Sequence, residues 1–236
     1  MYNILVCDDD KEIVEAIAIN LKKEGYNIFK AYDGNKCLEI IKNDTNTIHL
    51  VILDIMMPIK DGIQTLYEIR EFTSIPVIML SAKSEDKDKI EGLNLGADDY
   101  VTKPFNPLEL IARVNSNIRR YVRLGALPEE TTEAIFSTGG LVINDTTKEV
   151  TVDGNNIKLT PTEYNILKFL TENKGKVYSI DEIYHNVWED DPYSAENIIA
   201  VHIRHIREKI EINPKDPKYL KVIWGVGYKI ENVRSN

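Results

Sequence analysis

The chain has 236 residues, 43% of them hydrophobic, and a formal net charge of −9. That length allows one or two domains with ordinary cores, no apolar run approaches the roughly 18 residues of a membrane span, and two cysteines are too few for a disulfide framework. Residues 1–122 carry −5 and residues 136–236 carry −2, so neither half holds nucleic acid by bulk positive charge, and any DNA binding must rest on where the cations sit.

The chain enters a strand pattern at residues 3–7 with no basic leader or cleavage site before it, and a cytoplasmic protein with no membrane association is expected. Further strand patterns fall at 26–31, 50–53, 77–81 and 100–102, and helical patterns at 13–24, 34–43, 62–71, 86–95 and 107–121. In the first helical stretch Ile13, Ile17 and Leu21 recur at helical spacing while Glu15, Lys22 and Lys23 face away. Strands alternating with helices of this length imply βαβ units and a parallel sheet covered on both faces, a doubly wound α/β domain over 1–121.

Residues 122–135 lack a clear period, contain Gly125, Pro128 and three glutamates, and suit a linker. Residues 136–236 follow with strand-like pieces at 141–144, 149–152 and 157–159, and Asp153-Gly154 as a hairpin turn. Helical patterns come at 161–172, 179–187 and 195–210, and two strands at 221–225 and 227–230 are joined through glycines. Platform strands, three helices and a C-terminal hairpin describe an α+β winged helix-turn-helix.

Ligands of a parallel α/β sheet sit at the carboxyl ends of its strands. Asp8 and Asp9 follow the first strand, Asp54 ends the third, Ser81 ends the fourth and Lys103 follows the fifth. Three crowded carboxylates repel one another unless a cation is present. Oxygen donors with room for water favour Mg²⁺. A carboxylate beside Mg²⁺ can attack a phosphoryl group, with Lys103 and Ser81 supplying a positive charge and a hydrogen bond to its oxygens. A single such Asp would more often be a strand-end or helix cap; five matching positions together point to phosphoryl chemistry. A haloacid-dehalogenase-type phosphatase is the competing enzyme, but Asp8-Asp9-Asp10 is followed by Glu12 where that pattern needs Thr or Val.

Residues 1–120 resemble the receiver domain of two-component response regulators, in VCDDDKE, VILDIMMPIKDG, VIMLSAK and GADDYVTKPF. The resemblance implies a flavodoxin-like fold, Asp54 as phosphoacceptor, and Mg²⁺ held by Asp9, Asp54 and the Met56 carbonyl, with Asp8 acting through a water. It also implies phosphoryl contacts from Ser81 and Lys103, Tyr100 as the aromatic that turns inward on activation, and a cis peptide at Lys103-Pro104. Homodimerisation through the face of 86–95, 100–102 and 107–121 would pair Lys89 with Glu109 and Asp99 with Arg113 between protomers. A third pair usual in relatives is lost at Asn94 and Asn115. Exposed pairs contribute only about 0–1 kcal/mol each, so they would set register.

On the helix at 195–210, Ile199, Ile203, Ile206 and Ile210 form one stripe. A rotation of about 100° per residue puts Asn197, Val201, Arg204, His205 and Glu208 opposite, with Arg207 and Lys209 flanking. An amide, a methyl surface and an Arg suit adenine, thymine and guanine edges. LTPTEYNILKFL, Trp188, VHIRHIREKI and WGVGYKI resemble the OmpR/PhoB winged-helix family across 136–231. That likeness puts the helix in the major groove and the hairpin around Trp224–Gly227 on the neighbouring backbone or minor groove, with Lys221 and Lys229 near phosphates. Many relatives carry Arg at the position of Trp224 and at that of His205. His202 and His205 stand at i, i+3, but with no third ligand in sight a metal is not expected.

KPFNPLELIARV, GLVIN, TENKGKV and VIWGVGYKIE are similar to the subgroup that regulates vancomycin-resistance genes. The resemblance implies a non-enzymatic transcription factor. It would be phosphorylated by a sensor histidine kinase, bind direct-repeat promoter DNA as a dimer and engage RNA polymerase. The rival class is an adaptor whose C-terminal domain binds a protein without reading DNA.

Overall fold

The computed structural model describes residues 2–43, 48–82, 96–125, 134–188 and 195–233, with backbone alone at 82, 123–125 and 195–197. The helical pattern at 86–95 and the central part of the expected linker lie outside those residues. The chain divides into two compact units, 1–121 and 122–236.

The first unit is a parallel sheet ordered β2-β1-β3-β4-β5, where β1 is Asn3–Cys7, β2 Asn27–Ala31, β3 Ile48–Asp54, β4 Val77–Ala82 and β5 Asp99–Lys103. Sequence order 1-2 then 1-3 makes β1/β3 the place where the winding reverses, and the carboxyl ends of those two strands border a crevice. Strand β3 is nearly all apolar because helices cover both its faces: Leu50 to Leu53 are fully buried. Helix α1, Lys11–Lys23, starts where the Asp10 carboxylate accepts from the Glu12 and Ile13 amides, and it buries Val14, Ile17, Ala18 and Leu21 against the sheet. Helices α2, Gly34–Asn43, and α3, Gly62–Phe72, complete the layers, with Asp61 capping α3 through the Gln64 amide. Gly62 has a local reason: a Cβ there would lie 2.0 Å from the Asp54 carbonyl oxygen. Helix α4 runs Pro107–Gly125 and so takes in the first residues of the stretch expected as linker. Its apolar spacing carries on through Ile118 and Val122 without a breaker before Gly125.

The second unit opens with an antiparallel sheet β6-β7-β8-β9, at Ile135–Thr138, Leu141–Asn144, Glu149–Val152 and Asn155–Asn156. Strand β6 was not anticipated, and the piece expected at 157–159 reduces to β9 plus one further bond, Ile157 N–H to the Val150 carbonyl, at 2.9 Å. Asp153 and Gly154 both have positive φ, 48° and 81°, as the expected two-residue hairpin turn requires. Helix α5, Pro161–Glu172, begins in a capping box between Thr160 and Glu163 with Pro161 at its first position. Helices α6, Ile180–Trp188, and α7, Ala195–Ile210, pack with it around Trp188, whose ring stacks on Tyr184 at 4.8 Å. The hairpin β10-β11, Leu220–Ile223 and Gly227–Ile230, closes the unit and bridges from Tyr228 to Tyr178. A Cβ at Gly227 would lie 1.9 Å from the Tyr178 carbonyl oxygen, so only glycine allows that approach.

Candidate functional site

At the carboxyl edge of the parallel sheet, Asp8 and Asp54 are buried and Asp9 is exposed. Carboxylate oxygens of all three lie within 4.8 Å of one another. The Lys103 ammonium is 2.7 Å from Asp8 Oδ2 and 2.6 Å from Asp54 Oδ1. Asp8 Oδ1 also accepts the Asp10 amide at 3.0 Å, which fixes its plane. Burial raises the Asp54 carboxyl above its ordinary range; Lys103 pulls it down, but Asp8 and Asp9 push it up again and the net shift is upward. Burial works against the Lys103 ammonium, yet its bonds to Asp54 and Asp8 outweigh that and raise it. The two shifts agree physically, because one cation is shared between carboxylates that repel each other. Three convergent hard oxygen donors with one face open at Asp9 fit Mg²⁺, and a divalent ion there would relieve the repulsion that Lys103 only partly offsets.

Ser81 and Tyr100 are buried at 1% and 7% exposure, on β4 and β5 respectively. Met56 lies two residues beyond Asp54 on the same edge with its side chain exposed. The Lys103-Pro104 peptide is cis.

The second candidate surface is α7 with the β10-β11 hairpin. Arg204 points to solvent and pairs with Glu208 at 2.8 Å. Trp224 stands at the hairpin tip, 88% exposed, and Lys221 and Lys229 are cross-strand neighbours behind it. Val201 and His205 correct the sequence reading: both are buried, at 8% and 6%, where the helical projection puts them outward. The projection assumes one apolar stripe, whereas α7 packs against both α5 and α6 and therefore buries a wider sector. Arg207 is half-buried and donates from Nε to the Leu220 carbonyl at 2.8 Å, tying α7 to β10; burial lowers its pKa. Lys209, expected beside the DNA backbone, pairs instead with Glu163 at 2.5 Å. Asn197 lies on the first turn of α7, where the backbone alone is described.

Residues 4–115 match the response regulator receiver domain, and residues 154–230 match the transcriptional regulatory protein C-terminal domain. Regulatory protein VanR of Enterococcus faecium is 47% identical over 97% of this chain and 98% of its own length. The chain belongs to the OmpR/PhoB family of response regulators. It is 42% identical to regulatory protein VanRc of Enterococcus gallinarum, over 97% of this chain and 98% of that one. Among solved structures, response regulator DrrB of Thermotoga maritima, an OmpR/PhoB homologue, matches 98% of this chain and 99% of its own at 37% identity and a TM-score of 0.50. This is a DNA-binding response regulator of a two-component system, with a flavodoxin-like receiver and a winged-helix domain.

In the receiver of this response regulator, Asp99 is fully buried and Arg113 Nη1 meets its Oδ1 at 2.8 Å, while Arg113 Nη2 meets Glu109 at 3.1 Å. Of the residues expected to pair between protomers, Asp99, Glu109 and Arg113 are thus joined to one another within one chain. Asp99 and Arg113 share adjacent elements, and a buried carboxylate takes the nearest cation. Lys89 lies outside the described residues, and Asn115 accepts the Tyr26 hydroxyl. Sequence reasoning missed Glu163, which is 1% exposed and approaches His205 Nδ1 at 3.7 Å. Its signal was present in the Thr160-x-x-Glu163 capping box, which places a carboxylate at the start of α5.

Proposed function

We propose that this response regulator is switched by phosphorylation of Asp54, taken from a cognate sensor histidine kinase, and that the phosphorylated form dimerises and binds direct-repeat promoter sites. The observation that carries the reading is the Lys103 ammonium held between Asp8 and Asp54, at 2.7 and 2.6 Å, beside a third carboxylate on Asp9. The Asp54 oxygen attacks phosphorus as the bond to the donor breaks, and the new charge falls beside Lys103 and the Ser81 hydroxyl. Asp9, Asp54 and the Met56 carbonyl would hold Mg²⁺, with Asp8 acting through a water, and the ion would supply the remaining charge neutralisation.

Tyr100 and the Asp99–Arg113–Glu109 cluster lie on β5 and α4, continuous with Lys103, so a charge change at Asp54 has a short route to the dimer face. On DNA, Arg204 and Asn197 read base edges from α7, and Lys221 and Trp224 of the hairpin contact the neighbouring backbone. Burial leaves Val201, His205 and Arg207 to hold α7 in place rather than to read bases. Similarity to VanR over nearly the whole chain supports target genes in glycopeptide resistance or the cell wall, with RNA polymerase recruited there. Among the described residues no helix is long and apolar enough to cross a membrane, and action in the cytoplasm follows from the proposed kinase and DNA partners.

The test is incubation of the full chain with acetyl phosphate and Mg²⁺, followed by intact mass. Wild type gains one phosphoryl group and Asp54→Ala gains none. Equal labelling of Asp54→Ala would overturn the assignment.

A further inference from the structure

Glu163 from the first turn of α5 and His202 and His205 from α7 form a second cluster of metal-ligand type, far in sequence from the acidic pocket. One ligand atom from each lies within 4.8 Å of the other two. All three residues are buried, at 1%, 1% and 6%. The two histidines fall one turn apart on a single helix, and the fold supplies the third ligand that the sequence alone did not offer. The 3.7 Å between His205 Nδ1 and Glu163 Oε1 is too long for a hydrogen bond. It is close to the edge of about 3.3 Å between two ligands of a tetrahedral ion with bonds of about 2.0 Å.

The geometry points to a Zn²⁺ site made by Glu163, His202 and His205, with water in the fourth position, that ties the recognition helix to α5. Two imidazoles and one carboxylate are a borderline donor set that suits Zn²⁺ and not Mg²⁺, which takes oxygen ligands. Glu163 is already oriented: its Oε2 accepts the Thr160 amide at 2.8 Å, which leaves Oε1 facing His205. His202 is held from the other side by the Trp188 ring, 5.9 Å away between centroids. Lys209 opposes the ion, since its ammonium sits 2.5 Å from Glu163 Oε2. Its side chain is 35% exposed, so the ammonium can withdraw to water when a divalent charge arrives. The ion would cross-link the helix that carries Arg204 to the helix that begins at the capping box. DNA binding would then respond to zinc independently of phosphorylation.

The experiment is Zn²⁺ titration of the full-length chain against a chromogenic chelator, in millimolar Mg²⁺ to saturate the acidic pocket, together with thermal unfolding followed by far-UV circular dichroism. The expected result is one Zn²⁺ per chain, retained in Asp54→Asn and lost in His205→Gln and His202→Gln. Lys209→Ala tightens uptake several-fold, and zinc raises the melting temperature of wild type but not of His205→Gln. Co²⁺ in place of Zn²⁺ gives the visible absorption of a tetrahedral ion in wild type only. If His202→Gln fails to fold, His205→Gln decides, because that residue is the least buried of the three. No uptake by wild type, uptake unchanged in His205→Gln, or uptake abolished by Asp54→Asn would each overturn the site.

Discussion

Replacing Arg113 by Met removes the cation that pairs with the fully buried Asp99 carboxylate while keeping most of the side-chain volume. Breaking a buried ion pair from one side costs about 3–5 kcal/mol, because the remaining charge stays desolvated. Asp99 Oδ1 still accepts the Tyr100 amide at 2.8 Å, which places the expected loss near the lower end, about 3 kcal/mol. The partner Glu109 is 40% exposed and adds at most about 1 kcal/mol. With a urea slope of about 2 kcal/mol/M, the receiver midpoint falls by about 1.5 M. Removing both charges, in Arg113→Met with Asp99→Leu, leaves an apolar pair in a buried site and recovers most of the loss. The double-mutant cycle then gives a coupling of about 2–3 kcal/mol. Far-UV circular dichroism in urea on wild type, both single variants and the double variant measures it. A cost below about 1 kcal/mol for Arg113→Met, or single effects that simply add, would refute the view that this pair is a buried structural contact within one chain.

Three further outcomes are expected. Because the Asp54 carboxyl is raised in the folded state, chiefly by burial, its contribution to stability is fully present below its ordinary pKa of 3.8 and is lost as pH rises through the folded value; Asp54→Asn in EDTA should therefore gain on wild type as pH climbs above that value, and urea midpoints across pH measure the gap, which Mg²⁺ should close. Gly62→Ala forces a Cβ to within 2.0 Å of the Asp54 carbonyl oxygen, so it should cost about 1–3 kcal/mol and slow phosphorylation by acetyl phosphate. Trp224→Ala strips an 88% exposed side chain and should leave stability within about 0.5 kcal/mol, yet weaken DNA binding without changing the salt slope, whereas Lys221→Ala should reduce that slope by roughly 0.9; fluorescence anisotropy over a salt series separates the two.

The acidic pocket was legible in the sequence because parallel strands share one edge. Once Asp8, Asp54 and Lys103 fall at strand ends, topology brings them together whatever the helices do. The reading of α7 failed at Val201 and His205 for the opposite reason. A helical projection knows only one element, and the buried sector of α7 is set by three neighbours: α5, α6 and, through Arg207, β10. Glu163 illustrates the same limit, since it lies 39 positions before His202 in the chain and only packing of α5 on α7 makes them neighbours. Arg113 and Asp99 were recognised as partners, but sequence cannot say whether opposite charges pair within one chain or across two. Strand β6 carried no signal because Ile135 to Thr138 is too short and too mixed to show a period of two.

The central claim, that the receiver gates DNA reading through Asp54, is tested most directly by affinity for the DNA upstream of the protein's own gene. Binding would be measured with Mg²⁺, with and without beryllofluoride as phosphoryl mimic, in wild type and Asp54→Ala. The account predicts that the mimic tightens sequence-selective binding in wild type alone; unchanged affinity in wild type, or an equal gain in Asp54→Ala, would contradict it.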